Sequence, residues 1–207
     1  MHAIGPALLA AFIAAGPATA QEASLRWLTA SAPIRTAPDE AAPAGEVLVA
    51  SPVHATGRIE DGRAEILVPG WTDAERRALF ATAAPSVTLA EVPGGLTPRP
   101  AAPGEAAPEG WSPVALRGWV DAGLLASDPA DLWSAAFTLY RTRCTACHPR
   151  RVPGKYSMAE WQDYFRQMGP RTRLPQDDQY LIRAWLQHNA DDAADLEAAV
   201  ARIAAED

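Results

Sequence analysis

Short runs of apolar residues with β-type spacing fill the chain between Leu25 and about Val92. Segments such as 46–49 and 53–59 are rich in β-branched residues and are bounded by Pro or Gly, which predicts short strands. The Asp-Gly dipeptide at 61–62 separates two of these segments and is typical of a two-residue hairpin turn. The predicted strands are too few for a sandwich, so we expect a small β-barrel.

Residues 93–110 interrupt this pattern, because half of them are Pro or Gly. Such a composition indicates an extended or flexible loop. A strand pattern returns in W-S-P-V-A-L-R-G-W-V at 111–120, and we expect this strand to close the barrel. The loop is therefore predicted to be an insertion within one β domain that covers 21–127.

The apolar spacing becomes helical after about Ser127, which predicts a second domain over 128–207. Asp128-Pro129 is typical of a helix N-terminus. The sequence S-M-A-E at 157–160 has the pattern of a capping box, and we expect its helix to end at Gly169-Pro170. A third helix is predicted after Pro175, and 191–207 form an acidic tail with a short amphipathic helix.

The first 20 residues have a different composition. A short apolar region at 7–15 precedes A-T-A at 18–20, which is the pattern of a signal-peptide cleavage site. We interpret 1–20 as a secretory signal peptide, although no Lys or Arg precedes the apolar region, and the alternative is a buried N-terminal helix. We therefore expect a periplasmic protein. No apolar run is long enough for a membrane span after cleavage, and a net charge of −7 disfavours nucleic acid as a partner.

The two cysteines of the chain lie together in C-T-A-C-H, as Cys144 and Cys147, with His148 directly after them. Two thiols one helical turn apart match the two vinyl groups of a porphyrin, and an imidazole at the next position can ligate the iron. We therefore predict one covalently attached haem c, held by Cys144 and Cys147, with His148 as an iron ligand.

Other uses of C-x-x-C are less consistent with the surrounding sequence. A thioredoxin-type redox pair needs a βαβ context, which the pattern does not indicate. A structural zinc site needs four ligands, and the chain has two cysteines. A disulfide within the motif remains the alternative, although so small a ring would contribute little stability.

The second axial ligand is predicted to be Met168, which follows Trp161 and Phe165 on one helical face. Its position near the Gly-Pro break would let the thioether approach the iron, and the two aromatic side chains would form a wall beside the haem. His188, Met158, Lys155 and an open position remain alternatives. A bis-His site would have a lower reduction potential than a His/Met site.

Positive charge is concentrated around the motif. Residues 141–183 contain nine Lys or Arg and four acidic residues, so this block is basic although the whole chain is acidic. Arginines that could pair with haem carboxylates are Arg150, Arg151, Arg171 and Arg173. Together they are expected to form a positive rim that steers an acidic redox partner.

Several segments of the chain also resemble a known family. The sequence resembles the C-terminal monohaem module of the multihaem c-type cytochromes that serve periplasmic trimethylamine N-oxide and dimethyl sulfoxide reductases. The similar segments are W-S-P-V-A-L-R-G-W-V, D-L-W-S-A-A-F-T-L-Y, C-T-A-C-H, Y-S-M-A-E-W and Y-L-I-R-A-W-L-Q-H-N.

The resemblance implies an α+β chain, in which a small SH3-like β-barrel precedes a small all-α cytochrome c-like domain. It implies the same roles for Cys144, Cys147, His148 and Met168, and electron transfer to a molybdenum-containing S- or N-oxide reductase. Members of the family carry a membrane-anchored tetrahaem domain before this module, whereas here the predicted signal peptide precedes it. The electron donor is therefore expected to be a separate polypeptide.

We expect the chain to transfer electrons without being an enzyme itself, because no nucleophile constellation is visible and the acidic residues are scattered. His54, in a predicted strand, is expected to be a surface residue. Two alternatives remain for the function. A haem-based sensor would need an open or labile sixth position, and an SH3-like binding protein would use the haem only structurally.

Overall fold

The computed structural model describes residues 24–83, 87–102, 105–145 and 148–205, so the predicted signal peptide lies outside the described residues. Within these ranges nine β-strands precede four α-helices. The strands are β1 Ser24–Leu28, β2 Ala32–Ile34, β3 Gly45–Val47, β4 Pro52–Glu60, β5 Arg63–Thr72, β6 Ala78–Phe80, β7 Thr88–Glu91, β8 Ser112–Asp121 and β9 Leu125–Ala126. The helices are α1 Ala130–Arg143, α2 Met158–Thr172, α3 Gln176–His188 and α4 Ala193–Ala204.

The strands form one antiparallel sheet with the order β2-β3-β7-β6-β5-β4-β1-β9, and β8 pairs with β5. The β4–β5 hairpin turns at Asp61 and Gly62, whose φ angles are 49° and 75°. Two positive φ angles are what a type I′ turn requires, so the predicted hairpin is confirmed. The predicted strand at 111–120 corresponds to β8, which pairs with β5 over its whole length.

The sheet is curled, and its curl brings the β2 end against β8. Arg35, which follows β2, forms an isolated antiparallel bridge with Trp119 of β8. Gly118 permits this approach, because a Cβ atom at that position would lie 2.6 Å from the carbonyl oxygen of Arg35. A side chain at 118 would therefore force the two strands apart.

The predicted SH3-like barrel followed by a separate small all-α domain is wrong. The fold is a curled, half-barrel antiparallel sheet with four helices after it, so only the order of strands before helices agrees with the prediction. Strands of three residues, such as β2 and β6, are too short to show an alternating pattern in the sequence. The predicted bounds 21–127 and 128–207 stay predictions.

Helix α4 belongs to the same core as the sheet. It forms within the predicted acidic tail and packs against β1, β4 and β5. Its buried face carries Leu196, Ala199 and Ile203, which join one cluster with buried strand residues. His54 of β4 is also buried, with 4% exposure, so its predicted surface position is wrong.

The other helices form a layer that contacts the sheet at β1. Helix α3 packs against both α1 and α2. Trp27 of β1, Leu132 of α1 and Leu181 of α3 share a second buried cluster. The backbone N–H of Ser31 donates to the Asp177 carboxylate at 3.1 Å, which attaches the first turn of α3 to the chain after β1. No helix among the described residues is long and apolar enough to cross a membrane.

The 93–110 loop is partly fixed by its own contacts. Pro98 forms an isolated bridge with Val114 of β8, and the backbone N–H of Arg99 donates to the Pro113 carbonyl at 2.9 Å. The Arg99 guanidinium makes two hydrogen bonds of 2.8 Å to the Glu105 carboxylate. The described part of this loop therefore follows the sheet.

Candidate functional site

Helix α1 leads directly into the C-T-A-C-H motif. The Asp128 carboxylate accepts a hydrogen bond of 2.8 Å from the Ala130 N–H, so Asp128 stabilises the helix start although the helix begins one residue later than predicted. Cys144 is the C-cap residue of α1, and its N–H donates to the Tyr140 carbonyl at 3.2 Å. The Cys144 side chain is half-buried. Cys147, predicted to hold the haem with Cys144, lies outside the described residues.

Cys144, His148 and Met168 line two neighbouring cavities, of about 460 and 960 Å³ including space open to solvent. The smaller cavity is enclosed by side chains from α1, α2 and α3 and by two arginines: Tyr140, Trp161, Tyr164, Phe165, Leu186, Arg150 and Arg151. The larger cavity adds Thr142, Arg143, Arg171 and Thr172.

The imidazole of His148 is oriented by its neighbour in the chain. Its Nδ1 lies 2.9 Å from the carbonyl oxygen of Pro149. Because a carbonyl can only accept, Nδ1 must carry the hydrogen and donate it. In the neutral ring this leaves Nε2 with a free lone pair, which is the arrangement commonly found in metal-binding histidines.

Helix α2 carries Met168 and most of the apolar wall. Its start has the predicted capping box, with Ser157 and Glu160 each accepting a hydrogen bond from the other's backbone N–H. The helix continues past Gly169-Pro170 to Thr172, so its predicted end was too early. Pro170 therefore lies inside the helix, where it lacks the N–H that would donate to the carbonyl four residues earlier.

The spacing of Trp161, Phe165 and Met168 brings them to the same cavity wall. Trp161 and Phe165 are buried, and Trp161 Nε1 donates to the Pro153 carbonyl at 3.1 Å. Met168 is 37% exposed, which is high for a large apolar side chain. The predicted apolar wall and the predicted axial methionine thus lie together beside His148.

The alternative axial ligands lie elsewhere among the described residues. The His188 ring packs against Trp133 and Trp27, at centroid distances of 4.9 and 5.6 Å, and it does not line either cavity. Met158 has 1% exposure within the core. Lys155 is exposed in the 3₁₀ turn Pro153–Lys155 and lines neither cavity. The ligand assignment stays a prediction.

Burial affects the acid–base behaviour of two side chains at the smaller cavity. Burial raises the pKa of the Cys144 thiol, so the thiol stays protonated at neutral pH and is a weak nucleophile. Burial and the neighbouring Cys144 raise the pKa of Tyr140 to about 12, and its hydroxyl donates to the Arg151 carbonyl at 2.7 Å.

Three residues of the smaller cavity were not identified from the sequence as site residues: Tyr140, Tyr164 and Leu186. Tyr164 lies three residues after Trp161, which is about one helical turn. The helical spacing that placed Trp161 and Phe165 in the predicted apolar wall could therefore also have indicated Tyr164. Leu186 comes from α3, and only the tertiary fold brings it to the cavity. Arg173 is not a cavity residue, whereas Arg150, Arg151 and Arg171 are.

No family model, no curated protein and no solved structure matches this chain. The resemblance to the monohaem module of the reductase-associated cytochromes therefore stays a prediction. The described residues also contain no group of three or more His, Cys, Asp or Glu that could hold a metal ion.

Proposed function

We propose that this protein is a monohaem c-type cytochrome that carries electrons to a partner redox enzyme. The observation that supports this most strongly is the meeting of Cys144, His148 and Met168 at the same two cavities. The cavity walls suit a flat apolar group with acidic substituents, since they combine aromatic side chains with arginines.

Each residue around the cavity has a distinct task in this proposal. Cys144 and Cys147 would hold the haem covalently, and His148 Nε2 and the Met168 thioether would be the iron ligands. The Pro149 carbonyl keeps the His148 ring in the tautomer that ligation needs. When bound, the haem would supply an iron that alternates between Fe(III) and Fe(II) and so exchanges single electrons.

The protein surface around the cavities favours an acidic partner. Within the described ranges Arg143, Arg150 and Arg171 line the cavities and form no ion pair with a carboxylate. Unpaired positive charges at a redox site accelerate the approach of a negatively charged protein. For the acceptor we propose a periplasmic molybdenum S- or N-oxide reductase, which rests on the sequence resemblance alone.

A haem-based sensor is the second candidate function. The exposure of Met168 favours it, because an axial ligand near the surface can be displaced more easily by a small external ligand. The two functions differ in the behaviour of the reduced protein towards carbon monoxide. A carrier with firm Met168 ligation binds it slowly and weakly, whereas a sensor binds it readily.

The test is to produce the chain with its N-terminal segment in bacteria that contain the c-type haem maturation machinery. Mass spectrometry then measures covalent haem, and near-infrared spectroscopy detects the band that ferric haem shows with a methionine ligand. We expect one haem per chain and this band in the wild type. Met168→Ala should keep the haem, lose the band, lower the reduction potential and admit carbon monoxide.

The matched control is Gln167→Ala, an exposed residue of the same helix that lines neither cavity. It should leave the band and the potential unchanged. Wild-type protein without covalent haem would refute the proposed function. Covalent haem with an unchanged band and potential in Met168→Ala would remove Met168 from the iron, whereas ready binding of carbon monoxide by the reduced wild type would favour the sensor.

A further inference from the structure

Arg151 is held far more firmly than a typical surface arginine. Its guanidinium carbon lies 4.5 Å from the ring centroid of Tyr164 and 5.2 Å from that of Tyr156. One guanidinium N–H donates to the Tyr156 hydroxyl at 2.8 Å, and the backbone carbonyl of Arg151 accepts from the Tyr140 hydroxyl at 2.7 Å. Helices α1 and α2 and the turn before α2 thus fix both its backbone and its side chain.

The Arg151 guanidinium nevertheless forms no ion pair with a carboxylate of the described residues, although it is partly buried and lines the smaller cavity. A guanidinium has five N–H donors, of which one donates to the Tyr156 hydroxyl and another interacts more weakly with Tyr164. A fixed guanidinium with free donors is well suited to bind a carboxylate through two parallel hydrogen bonds.

Arg150 provides a direct comparison, because it lines the same cavity and lies next to Arg151 in the chain. Its guanidinium carbon is 5.7 Å from the ring centroid of Phe137, and the residue is exposed. In the described structure its side chain makes no hydrogen bond to another residue. The sequence could not distinguish the two arginines, but their surroundings do.

We infer that Arg151, rather than Arg150, is the residue that binds a carboxylate of the group in the cavity. This inference rests on the proposed function, in which the group is haem and the carboxylate is one of its propionates. Tyr156 and Tyr164 act as positioning residues, because they hold the guanidinium at the cavity before the ligand is present. The fixed geometry lowers the entropy cost of forming the ion pair.

The inference is tested with Arg151→Gln, Arg150→Gln and Arg151→Lys in the haem-loaded protein. Two properties are measured, namely the reduction potential and the resonance Raman bending mode of the haem propionates, which responds to their hydrogen bonding. Losing a fixed positive charge disfavours the more electron-rich Fe(II) state, so Arg151→Gln should lower the potential. The shift should be at least about twofold larger than for Arg150→Gln, because water screens an exposed charge.

The Raman mode separates binding from a merely structural role. We expect it to shift in Arg151→Gln, to shift less in Arg151→Lys, and to keep its wild-type frequency in Arg150→Gln. Equal effects of the two Gln variants, with haem attached in both, would overturn the inference but not the proposed function. Wild-type protein without covalent haem would overturn both.

Discussion

His188 should make the stability of the protein depend on pH. Burial lowers its pKa from 6.5 to about 4, because the ring lies between Trp27 of β1 and Trp133 of α1. The unfolded chain therefore takes up a proton near pH 6.5, whereas the folded protein does so only near pH 4. Between these two pH values the unfolded state binds more protons than the folded state. The stabilisation contributed by neutral His188 is therefore fully present above about pH 6.5 and is lost as the pH falls towards 4.

The size of the effect follows from the difference between the two pKa values. One pKa unit corresponds to about 1.4 kcal/mol, so the full loss is about 3 kcal/mol at pH values below the folded pKa. At about pH 5 the free energy of unfolding should already be about 2 kcal/mol lower than at about pH 7.

The assay is urea unfolding followed by far-UV circular dichroism at about pH 7, 6, 5 and 4.5, with the haem-loaded wild type and His188→Phe. Phenylalanine keeps an aromatic ring between the two tryptophans but cannot take up a proton. All other titrating groups cancel in the difference between the two proteins, so this difference isolates His188. A difference that stays constant within about 0.5 kcal/mol from pH 7 to 4.5 would show that His188 is not buried in its neutral form.

Three further variants test the packing described above, by their free energy of unfolding in urea at neutral pH. Ser157→Ala removes half of the capping box of α2 and should cost about 1 kcal/mol, and no loss would mean that the box is not formed in solution. Gly118→Ala should cost about 1–3 kcal/mol, because its methyl group would meet the Arg35 carbonyl, and a neutral result would contradict the close approach of β2 and β8. Ile182→Ala leaves a cavity at a fully buried position of α3 and should cost about 2–5 kcal/mol. The control Ile59→Ala, at an exposed position, should cost about 0.5 kcal/mol or less. Similar losses for both variants would contradict the burial of Ile182 in the core.

The features that could be predicted from the sequence are those whose partners lie a few residues apart. The Asp61-Gly62 turn and the Ser157–Glu160 capping box depend on backbone angles and hydrogen bonds within one turn of chain, so a local pattern is sufficient. The apolar face of α2 is also local, because residues three or four apart lie on the same side of any helix. These predictions did not need the tertiary fold.

The features that could not be predicted depend on contacts between distant parts of the chain. Strand β2 has three residues and is stabilised by pairing with β3 and by the Arg35–Trp119 bridge, neither of which a local pattern reveals. His54 looked like a surface residue, but the sheet and α4 bury β4. Likewise, nothing near Leu186 in the sequence indicates that α3 completes the cavity wall.

The packing of α4 on the sheet has a consequence for the order in which the chain matures. The cluster that buried strand residues share with Leu196 and Ile203 is complete only when α4, which follows the C-T-A-C-H segment in the chain, has packed against the sheet. Cys144 becomes half-buried only in the finished fold. An assembly factor that must reach this thiol therefore has its best access before the helices around Cys144 have packed together.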